Sequence, residues 1–204
     1  MRFFILLLIG TMPLFVQAGA DASAGEALYA SCTVCHGGNA EGNQALAAPR
    51  LSHLDPVDIV VQLENFRTGV RGGVGSSSAA MQMAPMAGVL QDSAAVENVA
   101  AYIASLPSVE SATTVSGDTK LGRDYYNQFC SACHGAQAQG NHALNSPRLA
   151  GASDWYLEAQ LNAFREGVRG THPEDRTGRQ MRAMAGVLPD DVAIQAVVAF
   201  IGSL

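Results

Sequence analysis

The pentapeptide Cys-x-x-Cys-His occurs twice in the chain, at 32–36 and 130–134. Two thiols separated by two residues on one helical turn can each add to a vinyl group of the same porphyrin. The adjacent histidine is then held on the face of the ring, where its imidazole can bind the iron. This spacing is the attachment signature of c-type haem. The sequence therefore predicts two covalently bound haem c groups, with Cys32, Cys35, Cys130 and Cys133 as attachment residues and His36 and His134 as iron ligands.

A Cys-x-x-Cys pair also occurs in thiol–disulfide oxidoreductases and in zinc sites. A zinc site would bring four cysteines together, whereas each pair here lies in its own half and is followed by its own histidine. A redox dithiol normally follows a β-strand, and no strand pattern precedes either pair. All four cysteines of the chain belong to the two motifs. We therefore prefer the haem interpretation.

The two motifs lie within a longer internal repeat. Pairing each residue n with residue n+98 aligns 32–106 with 130–204 without a gap, and direct counting finds 34 identities in 75 pairs. Upstream of the cysteines the best match shifts by one residue, so that Gly25 pairs with Gly122. A period near one hundred residues indicates a duplicated domain. We expect domain 1 at 21–107, a linker at 108–117 and domain 2 at 118–204.

Hydrophobic periodicity predicts an all-α fold with three helices in each domain. The first helix is expected to begin at a capping-box pattern, Ser23–Glu26, and to run into the cysteine motif. The second fits Pro56–Phe66 and its repeat Asp154–Phe164. The third begins at Asp92 or Asp190 and has an apolar face suited to packing on the first. With so few helices, each domain is expected to use its haem as much of its core.

The second axial position of each iron decides between electron transfer and chemistry on a bound small molecule. Two methionine pairs recur in the repeat, Met83 with Met181 and Met86 with Met184, in a segment that we interpret as a loop before the third helix. Thioether ligation opposite histidine raises the reduction potential and suits electron transfer. Methionine also fills gaps in cores. Repetition alone therefore leaves both pairs open.

Taken together, the repeated patterns resemble those of dihaem cytochromes of the c4 type, over nearly the whole mature chain. They are the haem motif, Asn-x-x-x-x-x-Pro-Arg-Leu, Gln-Leu-x-x-Phe-Arg-x-Gly and Met-x-x-Met-Ala-x-x-Leu. The resemblance implies two tandem cytochrome c-like domains, each a few helices around one covalently bound haem. It also implies that the sixth ligands are the methionines seven residues before the leucine, Met83 and Met181.

The same resemblance implies supporting roles for other residues. The carbonyl of Pro49 or Pro147 would accept a hydrogen bond from the ligand imidazole and fix the orientation of its ring. Several side chains would meet the haem propionates: Arg67, Arg71, Trp155, Tyr156, Arg165 and Arg169. Domain 1 has Asp58 at the position of Tyr156, and this difference predicts unequal potentials for the two haems.

The N-terminus has the features of a secretory signal peptide. Met1-Arg2 is followed by the apolar run 3–16 and by small residues up to Ala20. The run is shorter than the ~20 residues that a membrane-spanning helix needs, so cleavage is favoured over retention as an anchor. We expect a signal peptide at 1–20, with cleavage after Ala18 as the alternative, and a periplasmic protein.

The charge distribution favours protein partners over nucleic acid. The whole chain carries a net charge of −6. Residues 21–110 have three basic and nine acidic side chains, which gives this half a charge of −6. Residues 111–204 have eight basic and nine acidic side chains, which gives the other half a charge of −1. Nucleic-acid binding would need a clustered basic face. Unequal halves instead give a dipole that can steer a charged partner.

The sequence therefore predicts a periplasmic dihaem electron carrier and not an enzyme. It would accept electrons from a quinol-oxidising complex or a dehydrogenase and pass them to a terminal oxidase or reductase; peripheral association with a membrane is compatible with this role. The alternative is a cytochrome subunit bound tightly to a flavin- or quinone-dependent dehydrogenase. A dihaem peroxidase is disfavoured, because it needs an accessible iron and methionine recurs in both halves.

Overall fold

The computed structural model describes residues 19–109 and 112–204, and within these residues it contains α-helices and no β-strand. The helices of domain 1 are α1 (Ala22–Tyr29), α2 (Thr33–His36), α3 (Pro56–Arg67), α4 (Ser78–Ala87) and α5 (Ser93–Ser105). Those of domain 2 are α6 (Thr119–Tyr125), α7 (Ser131–His134), α8 (Asp154–Arg165), α9 (Arg176–Ala185) and α10 (Asp191–Gly202). The all-α prediction is confirmed. The predicted signal peptide, apart from its last two residues, lies outside the described residues.

Each domain has one long helix more than predicted. The methionine segments form α4 and α9, so their interpretation as loops is wrong. Ser77 and Asp175 cap these helices through side-chain oxygens that accept from backbone N–H groups. Pro85 inside α4 made a helix hard to recognise from the sequence, because proline lacks a backbone N–H donor and is disfavoured in the interior of a helix. α9 was hard to recognise because it contains three arginines, which leave little of the apolar periodicity that indicates a helix.

The first and last helices of each domain are capped by aspartates. α1 begins one residue before the predicted capping box, because the Asp21 carboxylate accepts from the backbone N–H of Ser23 at 2.9 Å and of Ala24 at 3.2 Å. The Ser23 cap is therefore wrong. The caps predicted for the last helix of each domain are confirmed, since Asp92 and Asp190 each accept a backbone hydrogen bond at 2.8 Å.

The one-residue shift in the repeat coincides with a π-helical turn at Tyr126–Cys130. The buried tyrosine precedes its cysteine by three positions in domain 1 and by four in domain 2, and a π-turn accommodates one extra residue within a helix. Both tyrosines keep the same contact. The hydroxyl of Tyr29 donates to the carbonyl of Gly37 at 2.9 Å, and that of Tyr126 to Gly135 at 2.7 Å.

The first and last helices of each domain cross at a glycine. α1 packs on α5 and α6 on α10, as predicted. A Cβ added at Gly25 would lie 2.0 Å from the carbonyl oxygen of Asn98, and one at Gly122 would lie 1.9 Å from that of Ala196. Buried side chains of the last helices line the core beside these crossings: Val96, Val99 and Ile103 in domain 1, and Ile194, Val197 and Ile201 in domain 2.

Gly25→Ala or Gly122→Ala is expected to destabilise the protein by about 3 kcal/mol, the upper end for an overpacked core. The added methyl group would meet backbone atoms of a facing helix, which cannot rotate away. Gly202→Ala is the control, because a Cβ there has nothing within 4 Å. Thermal unfolding of the haem-loaded protein measures the effect. Equal melting temperatures for Gly122→Ala and Gly202→Ala would contradict this account of the crossing.

Thr114 and Val115, within the segment predicted to be a linker, are fixed to domain 2 by Asp154. Its carboxylate accepts hydrogen bonds from the backbone N–H of Thr114 at 2.5 Å and of Val115 at 2.7 Å, and from the Thr114 hydroxyl at 2.7 Å. Val115 is buried in the core of domain 2. Burial alone would raise the pKa of Asp154, but hydrogen bonds from these residues and from Trp155 lower it overall. Domain 1 has Pro56 at the matching position.

Asp154→Asn is expected to lower the free energy of unfolding at neutral pH by about 2 kcal/mol, as for hydrogen bonds to a charged group. The pKa of this carboxyl is lower in the folded state, so its stabilisation is complete above the unfolded pKa of about 4 and is lost as pH falls through the folded pKa. Urea unfolding should therefore show the variant approaching the wild type in acid. Asp124→Asn, at an exposed position of α6, is the control. A difference that stays constant into acid would contradict the assignment.

Candidate functional site

The cysteine motifs fold alike in the two domains. The short helices α2 and α7 place Cys35 and Cys133 in exposed positions, while Cys32 and Cys130 are partly buried at the start of the turn. Burial raises the pKa of the Cys32 thiol, and it raises that of Cys130 to about 11. Within the described residues, none of the four cysteines forms a disulfide. They can therefore form two thioether pairs, one in each domain.

Each motif histidine uses one ring nitrogen for the protein and leaves the other for a metal. Nδ1 of His36 lies 2.8 Å from the carbonyl oxygen of Pro49, and Nδ1 of His134 lies 2.9 Å from that of Pro147. Because a carbonyl only accepts, Nδ1 carries the proton and Nε2 has the free lone pair. No described residue hydrogen-bonds to either Nε2. Burial lowers the pKa of both rings, which favours the neutral form that binds metals.

A tight loop brings the proline carbonyl to the histidine. Gly42 has φ +83°, and a Cβ there would lie 2.5 Å from the backbone nitrogen of Arg50; Gly140 has φ +84° and the same relation to Arg148 at 2.7 Å. Only glycine adopts this backbone conformation readily and allows so close an approach. The loop crosses itself beside the proline in both domains, and this crossing fixes the carbonyl that orients the imidazole.

Helices α4 and α9 place the two methionine pairs at different depths. Met83 and Met181 are half-buried, and Met83 packs against the core of domain 1. Met86 and Met184 face outward, with exposed fractions of 41% and 37%. The sulfur atoms of Met83 and Met181 are therefore better placed to reach a group enclosed by the domain.

Matched arginines and glutamines join the domains. Arg71 donates to the side-chain oxygen of Gln62 in its own domain at 2.5 Å and to that of Gln160 across the interface at 3.1 Å. Arg169 mirrors this arrangement, donating to Gln160 at 2.8 Å and to Gln62 at 3.1 Å. Arg71 also donates to the hydroxyl of Tyr156 at 2.9 Å. The contacts combine into one network that spans both domains.

This network holds uncompensated positive charge. No described carboxylate lies within ion-pair distance of Arg71 or Arg169, and Nε of Arg71 is buried without a hydrogen-bond partner. Burial and the neighbouring Arg71 lower the pKa of Arg169 to about 9. Burial would raise the pKa of Tyr156, but the two arginines lower it overall. Anionic groups are expected here, and the propionates of c-type haem fit this requirement.

The other two arginines expected near the propionates make different contacts. Arg67 pairs with Glu64 at 2.6 Å, and Arg165 pairs with Asp191. Both pairs lie at helix ends. The first is formed entirely within domain 1 and the second entirely within domain 2. Trp155 contacts the neighbouring Tyr156 edge-on, with 5.9 Å between ring centroids. Of the four arginines, the interface therefore contains Arg71 and Arg169.

Further contacts across the interface involve residues whose role the sequence did not reveal. Arg50, which is buried, donates to the carbonyl of Gly151 at 2.8 Å. His142 lies 3.0 Å from the carboxylate of Asp55, and the buried Asp58 accepts from a backbone N–H of domain 2 at 3.2 Å. Of these residues, only Arg50 could have been singled out from the sequence, because it belongs to the Pro-Arg-Leu block that is repeated in both domains.

The family model described as Cytochrome c matches residues 22–107 and again residues 119–204. The chain belongs to the cytochrome c family. Its two tandem cytochrome domains each bind one haem c, and the chain is a dihaem cytochrome of the c4 type. The predicted family, fold and cofactors are confirmed.

Relatives and solved structures support this classification. A thiosulfate dehydrogenase electron acceptor from Stutzerimonas stutzeri (strain A1501) is 33% identical, over 97% of this chain and 94% of the relative. Cytochrome c4 of Azotobacter vinelandii is 29% identical, over 93% and 92%. The structure of reduced recombinant cytochrome c4 from Pseudomonas stutzeri matches with a TM-score of 0.68 and 25% identity, covering 92% of this chain and all of that one. Electron transfer by a dihaem cytochrome is therefore established as its general activity.

In the part of the cytochrome that the structure describes, no helix has the length and apolar character required to cross a bilayer.

Proposed function

We propose that this cytochrome is a periplasmic carrier that transfers electrons between separate redox proteins and catalyses no reaction of its own. The observation that carries the proposal is the repeated pairing of a histidine whose Nε2 is free with a half-buried methionine on the same domain. We further propose domains at 21–107 and 118–204, a linker at 108–117, and removal of 1–20 on export.

The proposed roles of the site residues follow from their surroundings. Cys32 and Cys35 would tether one haem and Cys130 and Cys133 the other, while His36 with Met83 and His134 with Met181 would occupy the axial positions. A bound haem c supplies a one-electron iron(III)/iron(II) couple. The proline carbonyls hold each imidazole in a single orientation and tautomer. A histidine and a methionine that both bind the iron would leave no position on the metal open to small molecules.

The relatives indicate a class of electron donor. Besides the relative from S. stutzeri, a thiosulfate dehydrogenase structure from Marichromatium purpuratum matches with a TM-score of 0.69 and 29% identity. The match covers 89% of this chain and 40% of that one. These similarities favour a thiosulfate-oxidising dehydrogenase as donor, with a terminal oxidase or reductase as acceptor.

Stopped-flow spectroscopy tests the donor. The oxidised cytochrome, mixed with a thiosulfate dehydrogenase and thiosulfate, is expected to become reduced at both haems, and omission of either component should prevent reduction. Failure of reduction would refute this donor. Rapid carbon monoxide binding by the reduced cytochrome would refute closed axial positions and, with them, the carrier role.

The second candidate function is that of a permanent subunit of a larger redox complex. It is favoured by similarity to a cbb3-type oxidase subunit, FixP of Sinorhizobium medicae, which is 30% identical over 72% of this chain and 52% of that protein. Size-exclusion chromatography of a native extract separates the two functions. A carrier elutes alone, whereas a subunit of an oxidase or dehydrogenase co-elutes with its enzyme.

A further inference from the structure

The two domains differ strongly in charge around the helices that carry the proposed methionine ligands. In domain 1, residues 72–91 contain no ionisable side chain. The matched residues 170–189 of domain 2 contain three arginines, two acidic residues and one histidine. Because the flanking sequences match closely, this difference is confined to α4, α9 and the loops that precede them.

The three arginines form a stripe on the outer face of α9. Arg176, Arg179 and Arg182 are all exposed. Helical residues three apart differ in direction by about 60°, so the three side chains lie within about 120° of the helix surface. Arg179 also donates to the loop carbonyls of His172, at 3.4 Å, and of Pro173. The matched residues of α4 are Ser78, Met81 and Ala84.

Few negative charges offset this stripe. α9 itself contains no acidic residue. The Asp175 carboxylate accepts from the backbone N–H of Gly178 at 2.7 Å and so is turned toward the helix start. Glu174 is exposed in the loop before α9. Positive charge therefore dominates over the middle and C-terminal half of the helix, on a protein whose net charge is −6.

We propose that this arginine stripe of Arg176, Arg179 and Arg182 is the docking surface of domain 2 for a redox protein with an acidic contact face. The inference rests on the proposed function, because Met181 lies on the same helix. An acidic protein seated on the stripe is separated from that side chain by about one helix diameter, ~10 Å. A membrane surface is disfavoured, because Met181 lies on the opposite side of the helix and the residue within the arc of the stripe, Ala183, is too small to insert into lipid. The uncharged α4 face of domain 1 lacks this attraction.

The internal repeat supplies matched variants. The triple variant R176S/R179M/R182A installs the α4 residues on α9 and changes the net charge by −3. The control K120S/R123E installs the matching α1 residues on α6 and also changes the net charge by −3. Lys120 and Arg123 are exposed on α6, which packs on α10, whereas α9 packs on α8. The two variants therefore differ in the place of the lost charge and not in its amount.

The probe is flavodoxin hydroquinone, a small acidic protein reductant, mixed with the oxidised cytochrome in a stopped-flow instrument. At low ionic strength the α9 variant should react about tenfold more slowly than the wild type, within the range of electrostatic steering. The α6 control should remain close to wild type. In about 0.5 M salt the difference should disappear, because screening then acts within a few ångströms. Adding S78R/M81R/A84R to the wild type should increase the rate at low salt.

Three outcomes would overturn the proposal. An equal loss in the α9 and α6 variants would show that net charge, and not this surface, governs the rate. A loss with hexacyanoferrate(III) as oxidant but none with flavodoxin would show attraction of small anions only. Sedimentation with phosphatidylglycerol vesicles that requires the three arginines, with unchanged flavodoxin rates, would indicate a membrane surface. The visible spectrum tests methionine ligation separately, so failure of the proposed function is distinguishable from failure of the docking surface.

Discussion

Replacing Met83 with leucine is expected to lower the reduction potential of the first haem by roughly a few hundred millivolts, within the ~0.8 V that axial ligands span. The thioether stabilises the reduced iron, and leucine offers no donor atom in its place. Met181→Leu should lower the potential of the second haem similarly. A spectroelectrochemical titration measures both potentials, and the near-infrared band of thioether-ligated iron(III) should decrease by about half in each single variant.

The neighbouring methionines provide the matched controls. Met86 and Met184 lie three residues further along the same helices and face outward, so Met86→Leu and Met184→Leu should leave the potentials and the near-infrared band unchanged. If Met86→Leu lowered the potential while Met83→Leu did not, the ligand would be the other member of each pair.

The variant C130A/C133A is expected to lose about half of the haem absorbance per chain and to lose the folded structure of domain 2. A group that binds only the folded state stabilises that state, and a domain of five helices, one of them a single turn, has little apolar core to replace it. C32A/C35A should have the same effect on domain 1. Visible absorbance gives the haem content, and limited proteolysis shows which domain has become accessible.

The control for this experiment lies within the same turn. Ala132 is exposed between the two cysteines, so Ala132→Ser should retain both haems and remain resistant to proteolysis. Normal haem absorbance in C130A/C133A, with domain 2 protected, would contradict covalent attachment through this pair.

The repeat made much of the fold predictable, because an unbroken alignment of two halves acts as an internal comparison. It identified both cysteine motifs, the packing of the last helix on the first, and Asp92 and Asp190 as caps. It failed for α4 and α9, since the interior Pro85 obscures one helix and arginine-rich polarity the other. The predicted start of α1 was also wrong, because Asp21 and not Ser23 supplies the cap.

Features that the two domains do not share were hardest to predict. Asp154 fixes Thr114 and Val115 to domain 2, but in the sequence it appears only as a mismatch with Pro56. His142 and Asp55 meet across the interface although 87 residues separate them. The contact between His142 and Asp55 depends on how the two domains pack together, and the periodicity of either domain contains no information about that packing.

One tethered haem in each domain is tested most directly by the intact mass of the exported protein, produced in a host that attaches haem c. The predicted mass is that of the processed polypeptide plus two haem groups, retained under denaturing conditions because the bonds are covalent. A mass equal to the bare polypeptide, or increased by a single haem, would contradict a dihaem protein with one haem bound in each domain.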